Sequence, residues 1–145
     1  MSFVHLHTHS HYSLLKGMIT VDELIEQAKN FEMPAVALTD LGNMYAALEF
    51  YQKATKAGIK PIFGLDTTLT FGDRKEKSTK HPNYQLILLA KNQQGLENLF
   101  RLVTLSHVEG FYYKPRIDRE VLTQYCEGLI GLSGTHFGLI SKPLL

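Results

Sequence analysis

The sequence predicts an α/β fold built on a mostly parallel sheet, either open or closed into a barrel. Short apolar runs alternate with segments of helical periodicity along most of the chain. Prolines, glycines and capping residues separate them. The run Ala35 to Thr39 is also apolar without a break, as in strands covered on both faces.

Phe3 to Thr8 is apolar and β-branched enough for a first strand. Thr20-Val21-Asp22-Glu23 then reads as a capping box, with Thr20 as N-cap and Glu23 three residues on. The helix behind it spaces Leu24, Ile25, Ala28 and Phe31 helically and stops at Pro34. Ala35 to Thr39 is the second strand, and Met44 to Ala57 a helix closed by Gly58. Pro61 to Thr70 and Leu86 to Ala90 follow as strands. Gln94 to Val108 is amphipathic, with Leu96, Leu99, Phe100 and Val103 facing inward. Asp118 caps a short helix through Cys126, and Leu129 to Leu132 is a last strand. Gly72 to Lys80 is poor in apolar residues and reads as a mobile loop. Glycines 58, 64 and 110 read as turns and caps, because no phosphate-cradling pattern surrounds them.

Composition narrows the function classes. The 145 residues, 44% of them apolar, suit one soluble domain over residues 1–145. A net charge of +1 gives no global field toward nucleic acid or anionic membrane. One cysteine, Cys126, excludes an internal disulfide and fits a reducing compartment. With no signal-like N-terminus and no bilayer-length apolar run, the expected location is cytoplasmic, away from membranes. The end at Lys142-Pro143-Leu144-Leu145 predicts an N-terminal piece of a longer protein. Too few strands are present to close a parallel barrel, and an unfinished barrel favours dimerisation or strand exchange.

The densest chemical signal is His5-Leu6-His7-Thr8-His9-Ser10-His11. On a strand, alternate side chains share a face about 6.6 Å apart, so two such imidazoles can converge on one cation. His7 and His9 fall near the carboxyl end of the first strand, where α/β proteins build their sites. Further ligands should come from other strand ends, where Asp40, Asp66 and His136 alone have ligating chemistry. Elsewhere, Arg74, Lys75, Lys77 and Lys80, flanked by Phe71 and Tyr84, read as a solvated basic loop rather than a DNA contact. Phe111 to Arg116 reads as a loop packing rings on the end of the barrel, with Arg116 tied to an acid. Serines 10, 13 and 133 lack a base–acid pair for nucleophilic catalysis.

The segments HLHTHSHYSLLKG (5–17), PAVALTDLGNMYAALEFYQKATKAGIKPIFGLD (34–66), LILLAKNQQGLENL (86–99) and EGFYYKPRID (109–118) together resemble the PHP (polymerase and histidinol phosphatase) domain. The GFYYKPRID and AGIKPIFG stretches are similar to its polymerase branch, the N-terminal region of bacterial replicative DNA polymerase III alpha subunits. That resemblance implies a distorted (βα)7 barrel, of which this chain holds a part. It also implies a parent DNA-directed DNA polymerase whose polymerising carboxylates lie downstream. Partners implied are the other domains of that subunit, a separate proofreading exonuclease subunit, and DNA through the full-length protein.

Against the family's metal motifs the chain departs at several positions. His7 and His9 match the first motif, but its aspartate position holds Lys16. Thr39-Asp40-Leu41-Gly42 stands where T-D-H-G is expected, so Leu41 replaces a histidine. Asp66 replaces a glutamate, Gln85 a histidine and Thr135 a cysteine; the last two family ligands lie beyond Leu145. An ammonium 4 Å from a dication at an effective dielectric of 20 is repelled by roughly 8 kcal/mol before relaxation. Leu41 offers no lone pair, and Gln85 is a poor ligand. The expectation is a vestigial site of His7, His9, Asp40 and Asp66 with no catalytic residue and no resident cofactor, admitting at most weak zinc or manganese at His7 and His9. The rival is a metal-dependent phosphoesterase or 3′–5′ exonuclease.

Overall fold

The computed structural model describes residues 3–144, so Met1 and Ser2 of the expected N-terminus and Leu145 of the terminal segment lie outside it. The strands are β1 (Ala35–Leu38), β2 (Lys60–Thr70), β3 (Asn83–Ala90), β4 (Arg116–Ile117) and β5 (Leu129–Leu132). The helices are α1 (Val21–Asn30), α2 (Ala47–Lys56), α3 (Gln93–Val108) and α4 (Arg119–Gln124), and a 3-10 turn covers Lys142–Leu144.

The sheet runs β1-β2-β3-β5, with β4 paired to β2. β1 and β4 are parallel to β2, whereas β3 is antiparallel to both β2 and β5. All strands except β3 therefore point one way, and the sheet is mostly parallel. The reversal at β3 has a local cause. A parallel β2–β3 step needs a crossover, usually a helix, and residues 71–82 form none. β3 instead folds back along Gly64–Thr70.

The expected first strand is the main departure. Residues 3–10 form no regular ladder, and the chain bends at Leu6. Ala37 and Thr39 donate backbone N–H to His5 O and Thr8 O, both at 2.9 Å. A step of three residues, from His5 to Thr8, thus spans a step of two, from Ala37 to Thr39, which breaks the alternation of a regular pair. Short β4 is the element that sequence periodicity did not show.

Caps hold the helices as their sequences require. Thr20 accepts from Glu23 N–H while the Glu23 carboxylate accepts from Thr20 N–H, the capping box at α1. Asn92 caps α3 and Asp118 caps α4. Gly58, at φ +73°, follows α2 in the left-handed region that favours glycine. Gly64 is no turn: it lies within β2, where a Cβ would meet Thr39 Cγ2 at 2.5 Å and Leu88 O at 2.8 Å.

α1 and α2 cover the β1 side with Val21, Leu24, Phe50 and Ala54. α3 covers β2 and β3 with Leu99 and Leu102. Phe100, expected inward, is 46% exposed, because it falls just off that stripe. No helix among the described residues is long and apolar enough to cross a membrane.

Candidate metal centre

Of the four alternating histidines, only two converge. His7 and His9 stand with ring centroids 4.8 Å apart and planes at 86°. With Asp66 they offer three ligand atoms that all lie within 4.8 Å of one another. His5 is paired with Phe3, and His11 with Tyr12. His136 is exposed and stacks on Phe137, away from the group.

The hydrogen bonds set the state of each ring. The Thr39 hydroxyl donates to Thr8 O (3.0 Å) and accepts from Thr8 N–H (3.1 Å). Its single proton is thus spent, so His7 Nδ1, at 2.8 Å, donates to it. His7 Nε2 then carries a lone pair and faces Asp66 Oδ2 at 4.0 Å. Partial burial pushes the His7 pKa down; Asp66 opposes this and His9 reinforces it. His9 differs: its Nε2 lies 3.0 Å from Asp66 Oδ2 and donates to the carboxylate.

Asp66 comes from β2 and is 1% exposed. Its Oδ2 also accepts from Gln85 Nε2 at 2.6 Å. The amide is turned that way because Gln85 Oε1 accepts from Thr135 N–H (3.0 Å) and Thr135 Oγ1–H (2.6 Å). Two of the expected lost-ligand positions, Gln85 and Thr135, are therefore joined to each other and to Asp66. Asp66 Oδ1 is buried and has no hydrogen-bond partner among the described residues.

Asp40 is placed differently. Its Oδ1 accepts from Ser10 N–H (2.7 Å) and Ser13 Oγ–H (2.6 Å), and its Oδ2 from Ser10 Oγ–H (2.7 Å). It is 2% exposed and holds the loop after the histidines, outside the cluster that His7, His9 and Asp66 form. The two serines thus have a structural use that sequence reasoning missed, as does Thr39. The hint lay in Thr39-Asp40 at the carboxyl end of β1, beside a serine-bearing loop.

Lys16 and Leu41 line an open cleft of about 560 Å3 with His9, Asp66 and Gln85. Two imidazoles and one carboxylate, whose Oδ1 is orphaned, fit one divalent cation. They do not fit a cluster, which needs bridging carboxylates: Asp40 is committed to serines, and Lys16, Leu41 and Gln85 add no anionic donor.

The aromatic–cation segment needs correction. Among the described residues Arg116 is tied to no acid: it donates to the backbone oxygens of Gly110, Arg74 and Glu76 and lies over Tyr112. Arg74, expected in a solvated loop, is 7% exposed and pairs with Asp118, Glu109 and Glu120. Both arginines pin the loop that sequence composition read as mobile.

The sequence model of the PHP domain matches residues 5–145. The chain belongs to the PHP family. This PHP chain is 46% identical over 99% of its length to the DNA polymerase III subunit alpha of Borreliella burgdorferi, and covers 13% of that protein. Against its counterpart in Aquifex aeolicus it is 47% identical over 90% of the chain, 12% of that protein. The chain thus spans about an eighth of these relatives. Among solved structures, it superposes on a protein described as a metal-dependent phosphoesterase from Bifidobacterium adolescentis with a TM-score of 0.52 and 17% identity. That match covers 72% of this chain and 33% of the other. An amidohydrolase from Chromobacterium violaceum gives 0.53 and 21% identity, over 71% of this chain and 32% of the other. These two likenesses concern the fold.

Proposed function

We propose that this chain is the N-terminal PHP part of a bacterial DNA polymerase III alpha subunit, serving as a structural module and not as a hydrolase. The observation that carries this is identity of 46% over 99% of the chain with a protein of that name. In this reading the barrel is completed by sequence after residue 145, the partners are the other domains of the subunit, and DNA is met only through the full-length protein. We further assign to the module the docking of a separate proofreading exonuclease subunit. The commitment of Asp40 to Ser10 and Ser13, and of Gln85 to Asp66, supports a site kept for its architecture.

The test uses the full-length subunit. Deleting residues 1–145 should weaken exonuclease binding at least tenfold in a surface-bound assay, while the double variant His7→Ala, His9→Ala should leave primer extension within twofold. Unchanged exonuclease affinity in the deletion would refute the docking role. A large loss of primer extension in the histidine variant would refute the structural one.

A second reading, a metal-dependent phosphoesterase or 3′–5′ exonuclease, is favoured by one observation, the convergence of His7, His9 and Asp66. A cation held there would supply Lewis-acid chemistry. His7 is already turned to offer Nε2, whereas His9 would have to release its proton from Nε2, breaking its bond to Asp66. Elemental analysis of protein purified without chelator separates the readings. Stoichiometric zinc or manganese, lost in the histidine variant, would favour the enzyme.

A further inference from the structure

The arm between β2 and β3 is held to the body of the protein by charge and backbone polar groups, not by apolar packing. Thr70 pairs with Asn83 at its base, and within residues 71–82 Arg74 is buried while its neighbours are half-buried or exposed. Arg74 reaches out of the arm to acids: its Nε donates to Glu109 at 2.8 Å, and its Nη1 to Asp118 and Glu120, both at 3.0 Å. The Arg74 backbone N–H adds a bond to Asp118 Oδ2 at 3.1 Å. The Arg116 guanidinium holds the arm as well, at the carbonyls of Arg74 (3.1 Å) and Glu76 (2.9 Å).

An element that buries little apolar surface opens far more readily than the whole domain unfolds, unless specific bonds hold it. Here those bonds converge on one side chain. The base of the arm carries an opposing cost. Asn83 Oδ1 is buried with no hydrogen-bond partner among the described residues, and such an acceptor favours any state that admits water to it. At the other limb Gly72 lies against the His81 ring, where a Cβ would stand 2.3 Å from Cδ2, so the closed arm leaves no room for a side chain there. Thr79, His81 and Pro82 of the arm, with Asn83 at its base, form one wall of the cleft that also holds His9 and Asp66.

We propose that residues 72–82 are a strap along one side of the cleft, latched shut by Arg74 and opening locally while the sheet stays folded. Its hinges are Gly72 and Asn83. The latch is connected to the helix layer. Glu109 is the C-cap of α3, and Asp118 divides its oxygens between the α4 cap, where Oδ1 accepts from Val121 N–H, and Arg74 on Oδ2. Displacing the ends of α3 and α4 therefore weakens the latch, and opening the strap in turn loosens those ends. The strap governs access to the cleft, whatever occupies it. It goes beyond the structural-module reading and depends on no partner.

Amide hydrogen exchange of the whole chain, read residue by residue by NMR with urea varied below the unfolding transition, tests this. The reporter is the amide at position 74, which bonds the strap to Asp118. In the wild type it should exchange through an opening insensitive to urea, because little surface is exposed, whereas the β2 and β3 amides should follow the urea dependence of global unfolding. Arg74→Gln should lower protection at position 74 at least tenfold relative to the β2 and β3 amides; Lys77→Gln, on the same strap, should change it less than twofold. Access to the cleft is read separately with Thr68→Cys in a Cys126→Ser background, since Thr68 is buried and lines the cleft. Adding Arg74→Gln should raise the rate of thiol labelling there at least fivefold. Exchange at position 74 that tracks the global urea slope, equal loss of protection in strap and sheet, or unchanged thiol labelling would overturn the proposal. If Arg74→Gln fails to fold, the wild-type urea dependence decides.

Discussion

Replacing Asp40 by alanine should destabilise the fold in the absence of any metal. The carboxylate is 2% exposed and accepts three hydrogen bonds, from Ser10 N–H, Ser10 Oγ–H and Ser13 Oγ–H, between 2.6 and 2.7 Å. Hydrogen bonds to a charged acceptor contribute about 1.5–3 kcal/mol each, and buried donors left without partners cost about 1–3 kcal/mol. The three bonds share one carboxylate and are not additive, so the expected loss is about 3–5 kcal/mol. Ser10 and Ser13 are themselves fully covered, which limits rescue by water. Urea unfolding followed by circular dichroism measures this directly. With a slope of about 2 kcal/mol/M, the midpoint should fall by roughly 2 M, or the variant should be unfolded at zero urea. A loss below about 1 kcal/mol in metal-free protein would refute the structural assignment of Asp40 and return it to the ligand candidates.

Other expectations follow from the same geometry. Thr39→Val removes the hydroxyl that receives His7 Nδ1–H and Thr8 N–H; it should cost about 1–3 kcal/mol and release the fixed His7 tautomer, seen as changed imidazole nitrogen shifts by NMR. Burial alone would raise the Asp118 pKa, but the Arg74 and Val121 N–H groups and the Arg74 guanidinium outweigh it and hold it low. Its folded value therefore lies below its unfolded one, and the stability it adds is present above about pH 4 and lost as pH falls through the folded value. Asp118→Asn should flatten the acid limb of a stability profile below about pH 4; an unchanged limb would contradict the assignment. Gly17→Ala should cost at least about 2 kcal/mol by urea titration, because the new Cβ meets a backbone oxygen, not a side chain that can move aside.

Local physics made much of the molecule legible from sequence alone. Thr20 with Glu23, Asp118, Gly58 and the unbroken apolar run at 35–38 each act within a few residues, and each is found where those rules put it. The alternation of His7 and His9 likewise sufficed to propose that they meet, and the replacements at Lys16, Leu41 and Gln85 are visible as letters. Tertiary structure decided whatever depends on a partner distant in sequence. Asp40 and Asp66 look equivalent as carboxylates near strand ends, yet one faces two serines from position 10 onward and the other faces the histidines. The direction of β3 was settled by residues 71–82 forming no helix, and the fate of Arg74 by acids 35 to 46 residues away. Side-chain type states which bonds a group can make; only the packed chain brings a particular donor to a particular acceptor, because burial removes the water that would otherwise satisfy either one.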